Sequence, residues 1–299
     1  MSALRLATRR SPLALHQARY VAQRLAAIGV ECELVEVVTD GDQRHDVPLE
    51  VLGGQGVFAI EIQRALLEGA ADVAVHSAKD LPSATPDGLL LSCVPERRDP
   101  ADVLVGRSLA GLGPGATVAT GSPRRRALLL ERRPDLNVVG LRGNMAARLA
   151  QAGHDGVDAV VAAAAALERL GEGDLVSERL DPTWFVPQVG QGALALETRA
   201  DDNASASPLA ALNDEGAMTA LRAERAFLRE LGSGCTIPAG AHAIVSGDEV
   251  KLRAVMLAVD GTRSVRAVLV GADPEALGTE LARYLHDDLG GADLPGWTR

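Results

Sequence analysis

Arginine residues recur in this chain where strands are predicted to end and helices to begin. Residues 7–12 (Ala-Thr-Arg-Arg-Ser-Pro) and 120–126 (Thr-Gly-Ser-Pro-Arg-Arg-Arg) each follow a short apolar run and offer a serine N-cap before a proline at the first helical position. A helix N-terminus binds anions through its free N–H groups, and a guanidinium beside it can grip a carboxylate with two hydrogen bonds. The pattern therefore predicts an anionic ligand, and its repetition favours two equivalent lobes that face one cleft.

The composition makes this placement of cations informative. The chain has 299 residues with 40 acidic and 30 basic side chains, so that its net charge is −10. General surface charge would not gather arginine at turns in such a chain. Aromatic residues make up only 2%, so stacking platforms for single-stranded nucleic acid are scarce, and the acidic balance also argues against a nucleic-acid partner. The length is sufficient for two or three domains.

Nothing in the sequence indicates a membrane segment or a metal site. The N-terminus, Met1-Ser2-Ala3-Leu4-Arg5, lacks a signal-peptide pattern, and the longest apolar stretch, residues 159–167, is too short to span a bilayer. The three cysteines have no metal-ligand spacing. We therefore expect a cytoplasmic chain with no membrane, nucleic-acid or metal partner, and we expect it to be a monomer.

The three cysteines differ in their surroundings. Cys32 and Cys93 lie in strand-like segments, where a small buried thiol is the expected state for Cys32. Cys235 stands instead in residues 232–240 (Gly-Ser-Gly-Cys-Thr-Ile-Pro-Ala-Gly), a turn-rich loop after an amphipathic helix. In that context an exposed, reactive thiol and an inert one are both open.

Hydrophobic periodicity predicts an α/β architecture with a parallel or mixed sheet in each of two halves, followed by a small α+β unit in the last eighty or so residues. Ligands of open α/β sheets bind outside the carboxyl ends of the strands, which is where the arginine-bearing turns fall. The predicted strands are residues 4–8, 33–38, 73–76, 117–120, 137–141 and 159–161, with alternation over 243–270 around turns at 246–248 and 260–261. The predicted helices are Ser11 to about residue 28, residues 60–67, 219–231 and 274–285, with further helices opening at Ser122 and Asn144.

Three further polar segments fall near predicted strand ends. Residues 76–82 (His-Ser-Ala-Lys-Asp-Leu-Pro) put a cation beside a carboxylate, a pair that alone is typical of a solvated loop. Residues 141–148 repeat the strand, arginine and helix-start theme, with Arg148 facing either the ligand or solvent. Residues 186–194 are Gly-rich but have neither dinucleotide-fingerprint spacing nor a P-loop lysine, which favours a hinge or a crossing between lobes.

These motifs, in this order, resemble those of the porphobilinogen deaminase family, also called the hydroxymethylbilane synthase family. The resemblance covers nearly the whole chain and is weakest in the last sixty residues. The matching segments are Ala-Thr-Arg-x-Ser-Pro-Leu-Ala-Leu at 7–15, His-Ser-x-Lys-Asp-x-Pro at 76–82, Arg-Arg at 124–125, Leu-Arg-Gly-Asn at 141–144, Val-Gly-Gln-Gly-Ala at 189–193 and Gly-Cys-x-x-Pro at 234–238.

The resemblance implies a specific reaction and fold. Members of that family condense four porphobilinogen units head to tail, with loss of ammonia each time, and release hydroxymethylbilane by hydrolysis. They build the chain on a dipyrromethane primer joined by a thioether to a loop cysteine, here Cys235. Their fold has two lobes resembling periplasmic binding proteins and a small α+β domain. It implies lobe 1 at 1–93 and 193–212, lobe 2 at 94–192, and a C-terminal domain with the cysteine loop at 213–299.

The resemblance also implies roles for individual residues. Each pyrrole carries an acetate and a propionate, so a growing chain needs cations along the cleft. Loss of ammonia leaves a cationic methylene-pyrrolenine, which a carboxylate near the pyrrole nitrogens would stabilise; Asp80 is the implied catalytic group. The implied cofactor-binding residues are Cys235, Lys79, Asp80, Thr120, Ser122, Arg124, Arg125 and Arg148. The implied substrate-binding residues are Arg9, Ser11, Arg142, Arg148 and Arg169.

The chain departs from the family pattern at two places. Gln55 and Ala59 stand in and beyond a Gly-Gly-x-Gly loop where lysines are common, and Gly121 and Pro123 replace the usual neighbours of the arginine pair. The loss of two cations should weaken carboxylate capture or closure by that loop. Other arginines available to compensate are Arg10, Arg44 and Arg126.

Three other function classes are compatible with clustered arginines. A two-lobed dicarboxylate-binding protein would normally be exported and would not need Cys235. A phosphate- or nucleic-acid-binding regulator fits poorly with the acidic balance and the scarce aromatic residues. An inactive relative that still holds the primer is the nearest alternative.

Overall fold

A computed structural model describes residues 3–38, 59–232 and 237–297. Within these residues it contains two five-stranded mixed sheets and one three-stranded antiparallel sheet. Three residues with predicted roles, Cys235, Gln55 and Arg44, lie outside the described residues.

The first sheet and the helices packed on it form lobe 1. Its elements are β1 (Leu4–Arg9), α1 (Pro12–Ala26), β2 (Cys32–Val37), α2 (Ile60–Leu67), β3 (Val73–Ser77), β4 (Leu89–Cys93), β10 (Leu194–Arg199) and α6 (Asn203–Ala206). The strand order is β2-β1-β3-β10-β4; β1, β2 and β3 are parallel, and β10 runs antiparallel to both its neighbours. Leu6, Val73 and Leu196 pack against Val21 and Leu25 of α1, and all five are buried.

The second sheet belongs to lobe 2. Its elements are β5 (Asp102–Val105), β6 (Thr117–Ala119), α3 (Pro123–Arg132), β7 (Asn137–Val139), α4 (Met145–Leu149), β8 (Ala159–Ala163), α5 (Ala164–Leu170) and β9 (Val176–Arg179). The strand order is β7-β6-β8-β5-β9, with β5 antiparallel to β8 and β9. Leu104, Val118, Leu128 and Phe185 lie in its hydrophobic core.

The third domain is a sheet covered by two helices. Its elements are α7 (Glu215–Glu230), β11 (Ala239–Ser246), β12 (Glu249–Leu257), β13 (Ser264–Gly271) and α8 (Pro274–Arg283). Phe227 of α7, Leu252 of β12 and Leu281 of α8 are buried in its core. The expected α/β fold of two mixed-sheet lobes and a small α+β domain is confirmed.

Several boundaries differ from the sequence predictions for identifiable reasons. The helix predicted from residue 219 begins at Glu215, because the side chain of Asp214 accepts a hydrogen bond from Ala217 N at 2.8 Å and caps it. Strand β5 escapes prediction because it is buried along its whole length, so its residues do not alternate. Cys32, expected to be buried, is only half-buried because β2 is an edge strand, whereas Cys93 is fully buried.

Candidate active site

The carboxyl edge of lobe 1 carries the first group of predicted site residues. Arg9 ends β1, and the parallel neighbour β3 leads into a short 3₁₀ turn, Ala78–Asp80, that holds Lys79 and Asp80. Ser11 caps α1 by accepting a hydrogen bond from Ala14 N at 3.3 Å. Ser11 is thus engaged at the helix start, as its Ser-Pro sequence predicts.

The turn that holds Asp80 is packed against residues 186–194, the crossing segment between the lobes. A side chain at Gly190 would place its Cβ 2.9 Å from the carbonyl carbon of Ala78 and 3.0 Å from Lys79 N, and the φ of Gly190 is +72°. Only glycine meets both conditions without strain. Gln188 Nε2 also donates to the Lys79 carbonyl oxygen at 3.2 Å. The Asp80 turn therefore takes its position from the crossing segment as well as from β3.

At the corresponding edge of lobe 2, polar side chains cap the helices that follow the strands. Thr120 follows β6 and accepts a hydrogen bond from Ser122 N at 3.2 Å through its hydroxyl oxygen, while Ser122 Oγ accepts from Arg125 N at 3.4 Å and caps α3. Asn144 caps α4 in the same way. Arg148 lies on α4, and its Nε donates to the Gly143 carbonyl oxygen at 2.8 Å.

Residues from both lobes share one electrostatic environment. Burial lowers the pKa of Arg148, and so do the positive charges of Arg125, Arg142 and Arg9, while the negative charge of Asp80 raises that pKa. Arg9, Arg125, Arg142 and Asp80 thus all lie near enough to Arg148 to act on its pKa. Within the described residues the Asp80 carboxylate accepts no hydrogen bond. The charged side chains that act on Arg148 are thus mostly positive, an environment that a bound carboxylate would offset.

Arg124 and Arg125 are both engaged by a carboxylate of the protein itself. Arg124 is 2% exposed; its Nη2 donates to Asp102 Oδ2 at 2.8 Å and its Nη1 to the Val186 carbonyl oxygen at 2.7 Å. Arg125 Nε donates to Asp102 Oδ1 at 2.9 Å and its Nη1 to the Val161 carbonyl oxygen at 3.1 Å. Their cofactor-binding roles stay predictions, and the structure adds a structural role for each.

Asp102 is a residue that the sequence reasoning missed. Its side chain is fully buried and also accepts from Gln191 Nε2 at 3.0 Å. Burial alone would raise the pKa of the Asp102 carboxyl, but the two guanidinium groups and Gln191 hold that pKa below its ordinary value. A signal was present in the sequence: an acidic residue that begins an apolar run, Asp-Val-Leu-Val, must find cations if the run is buried.

Arg169 lies at the crossing between the lobes. It is placed near the end of α5, and its Nη2 donates to the Gly192 carbonyl oxygen at 2.8 Å. Burial lowers the pKa of Arg169 to about 10, and the nearby Tyr20 of α1, from the other lobe, opposes that shift. The described hydrogen bond of Arg169 is thus with the crossing segment, and its nearby charges come from both lobes.

A second buried carboxylate, Glu224 of α7, also escaped the sequence reasoning. Arg97 donates to both its oxygens, with Nη1–Oε1 at 2.6 Å and Nη2–Oε2 at 3.1 Å. Glu224 also accepts from Gly190 N at 2.7 Å and from Ala243 N at 2.8 Å. The Glu224 carboxylate thus links the segment that follows β4, the crossing segment and the sheet of the third domain.

Two protein-family models match this chain. The model described as "Porphobilinogen deaminase, dipyromethane cofactor binding domain" matches residues 4–207, and "Porphobilinogen deaminase, C-terminal domain" matches residues 218–287. The chain belongs to the porphobilinogen deaminase family. Its curated relatives include the porphobilinogen deaminase of Syntrophotalea carbinolica, 45% identical over 95% of this chain and 92% of that protein. That of Geobacillus kaustophilus is 44% identical over 94% of this chain and 93% of the relative.

Solved structures outside the family overlay only loosely. The methionine-binding protein MetQ aligns with a TM-score of 0.44 at 13% identity, over 70% of this chain and 88% of that chain. A periplasmic substrate-binding protein of an ABC transporter from Coxiella burnetii aligns with a TM-score of 0.43 at 15% identity, over 72% and 94% of the two chains. Separately, none of the helices in the described part of the chain is both long and apolar enough to cross a membrane.

The titration of Lys79 tests the electrostatics of the site. Burial and the positive charge of Arg125 lower the pKa of the Lys79 ammonium to about 8, against the opposing pull of Asp80. The chain has two lysines, Lys79 and Lys251, so in Lys251→Arg a single ε-carbon signal in lysine-labelled NMR reports Lys79. We expect its midpoint near pH 8.

The same shift has a consequence for stability. Between pH 8 and 10.5 the unfolded chain binds the Lys79 proton more tightly than the folded chain does. The free energy of unfolding should therefore rise through that window relative to Lys79→Gln. In the NMR titration, a Lys79 midpoint at the ordinary pKa of 10.5 would show that the ammonium group is neither desolvated nor close to other cations.

Proposed function

We propose that the chain is a porphobilinogen deaminase: it condenses four porphobilinogen molecules head to tail, with loss of ammonia, and releases hydroxymethylbilane. The observation that carries this proposal is that charges from both lobes, Arg9 and Asp80 of lobe 1 with Arg125 and Arg142 of lobe 2, meet at Arg148. The membership of the chain in the deaminase family names the reaction that this arrangement serves.

The arginine-rich groove suits the negative charge of the substrate. Every pyrrole ring of porphobilinogen carries an acetate and a propionate, and guanidinium groups bind carboxylates with two hydrogen bonds. Arg148, whose pKa is lowered by burial and by three neighbouring cations, lies where added carboxylates would relieve repulsion. We assign Arg9, Ser11, Arg142, Arg148 and Arg169 to the substrate.

Asp80 suits the positive charge that develops during the reaction. Departure of ammonia leaves a cation on the substrate, and a carboxylate placed beforehand near the pyrrole nitrogens stabilises that cation. Asp80 has no hydrogen-bond donor of the described protein to satisfy it, so its charge is available to the reacting group. A plain dicarboxylate-binding protein would have no use for an acid among its arginines.

The donor set also fits the dipyrromethane cofactor named by the matched domain. When bound, this group supplies the terminal pyrrole to which the first substrate adds. Its own carboxylates would be held by cations and hydroxyls at the edge of lobe 2 together with the Asp80 turn. The residues we assign to it are Lys79, Asp80, Thr120, Ser122, Arg124, Arg125 and Arg148.

We assign the covalent attachment of the cofactor to Cys235, through a thioether. The supporting observation is the position of the first described strand after that residue. At Gly240 of β11, a Cβ would lie 3.1 Å from Arg124 Cδ and 2.7 Å from the Pro187 carbonyl oxygen, so β11 approaches the arginine pair directly. The chain thus returns to the proposed cofactor face soon after Cys235.

The division of the chain follows from the same proposal. We place lobe 1 at 1–93 and 193–212, lobe 2 at 94–192 and the cysteine-bearing domain at 213–299, in a monomer that works in the cytoplasm. The pairing of β10 with β3 and β4 supports the return of the chain to lobe 1.

Intact-mass measurement tests the attachment. We expect the purified chain, made with a supply of porphobilinogen, to exceed its sequence mass by one dipyrromethane and to give a colour with an aldehyde reagent for pyrroles. Cys235→Ser should have the adduct-free mass, because it lacks the thiolate nucleophile. Cys32→Ser, which removes a different half-buried thiol, is the control and should keep the adduct. Adduct-free masses for both the wild type and Cys235→Ser would reject covalent priming.

Replacement of Asp80 tests the catalytic assignment. Asp80→Asn keeps the shape of the side chain but removes its charge, so turnover should fall by about 100-fold or more. Asp87→Asn removes an exposed carboxylate from the segment that follows and should leave turnover nearly unchanged. The measurement is the rate of hydroxymethylbilane formation, with intact mass reporting retention of the primer. Wild-type turnover in Asp80→Asn would remove the assignment.

A further inference from the structure

A cavity lies between lobe 1 and the third domain. Its volume is about 310 Å³. None of its lining residues has a role in the reaction proposed above. The residues from lobe 1 are Ser83, Thr85 and Leu91, and those from the third domain are Met218, Arg222, Arg225, Arg229 and Glu275.

Three arginines of α7 face this cavity. Their spacing of three and four residues puts Arg222, Arg225 and Arg229 on one side of the helix. Arg222 is already paired, since its Nε donates to Glu275 Oε1 at 2.6 Å. The other two have no carboxylate at ion-pair distance within residues 3–38, 59–232 and 237–297. The cavity therefore holds more positive than negative charge, in a chain that is acidic overall.

Arg225 is the more constrained of these two cations. It is 8% exposed, and its only hydrogen bond with the described residues runs from Nη2 to Thr85 Oγ1 at 3.2 Å. Burial lowers the pKa of Arg225, the buried carboxylate of Glu197 opposes that shift, and the positive charge of Arg229 adds to it. A buried guanidinium with unused N–H groups beside a second cation is poorly compensated by the protein alone.

We propose that this cavity is a second anion site, where a small molecule with a phosphate or carboxylate group binds between Arg225 and Arg229. The planar fork of Arg225 supplies paired donors, and the hydroxyls of Ser83 and Thr85 supply further ones. The volume is at the small end of ligand cavities, so it suits a compact anion such as phosphate or citrate.

Occupation of the site would connect two parts of the molecule. Thr85 lies in the segment that follows the Asp80 turn, whereas Arg225 and Arg229 lie on α7. A bound anion would tie that segment to the third domain. Because a ligand that binds only the folded state adds to its stability, the site predicts anion-specific stabilisation independent of any catalytic activity.

Calorimetric titration and thermal unfolding test the site with phosphate, with citrate and with sodium chloride at matched ionic strength. We expect phosphate or citrate, but not chloride, to bind and to raise the melting temperature. Arg229→Gln should weaken that binding roughly tenfold or more, because it removes a charged donor of the anion. Arg24→Gln removes an exposed arginine of α1 and is the charge-matched control, which should bind as the wild type does.

The reaction cleft is a competing anion site, and a third variant separates the two. Arg142→Gln weakens the cleft but should keep the component of phosphate or citrate binding that Arg229→Gln loses. Loss of all specific binding in Arg142→Gln with wild-type binding in Arg229→Gln would overturn the proposal, as would the same response to chloride as to phosphate and citrate.

Discussion

The centre of the molecule depends on the burial of one carboxylate. Asp102 is fully shielded from solvent, and its two oxygens accept from Arg124, Arg125 and Gln191 at 2.7–3.0 Å. A buried charge is tolerated only when partners satisfy it, so these side chains cannot relax independently. Since both arginines lie on the first turn of α3, Asp102 holds that helix start against β5. Gln191 extends the same constraint to the segment between the lobes.

Glu224 is a second buried carboxylate with several donors, and it lies where the third domain contacts the lobes. Arg97, Gly190 N and Ala243 N converge on its carboxylate, which has no exposure to solvent. The two carboxylates therefore hold neighbouring residues, 190 and 191, of one crossing segment. Because Gly190 also packs against the 3₁₀ turn, the position of Asp80 relative to the lobe 2 arginines follows from these two buried networks. Asp80 is half-buried, whereas Asp102 and Glu224, the carboxylates at the centre of these networks, are fully buried.

Local features of the site could be predicted from sequence, whereas its long-range pairings could not. Ser11, Ser122 and Asn144 each cap the helix that their neighbours predict, because a cap depends on residues three positions away. The partner of Arg124 depends instead on Asp102, 22 residues earlier, and on the pairing of β5 with β8. Arginine pairs indicate an anion, but the sequence does not show whether that anion is a ligand or a side chain of the protein.

The fold shows the same division between local and long-range information. Helix α2 coincides with its prediction, since its apolar residues recur with helical period. Strand β10 was not predicted because it crosses back from lobe 2 and carries buried polar residues, Glu197 and Thr198, in place of an alternating pattern. Glu197 accepts a hydrogen bond from Gln63 and lies 3.2 Å from His76, contacts that only the folded sheet provides.

The most direct test of the central role of Asp102 is the free energy of unfolding of Asp102→Asn, measured by urea denaturation beside Asp135→Asn. Both variants remove one carboxylate charge from an arginine pair, but Asp135 pairs with Arg133 at the surface. Asp102→Asn should lose about 3 kcal/mol or more of its free energy of unfolding, because two guanidinium groups lose their buried counter-ion. The surface variant should change little. Equal, small losses in the two variants would contradict the account.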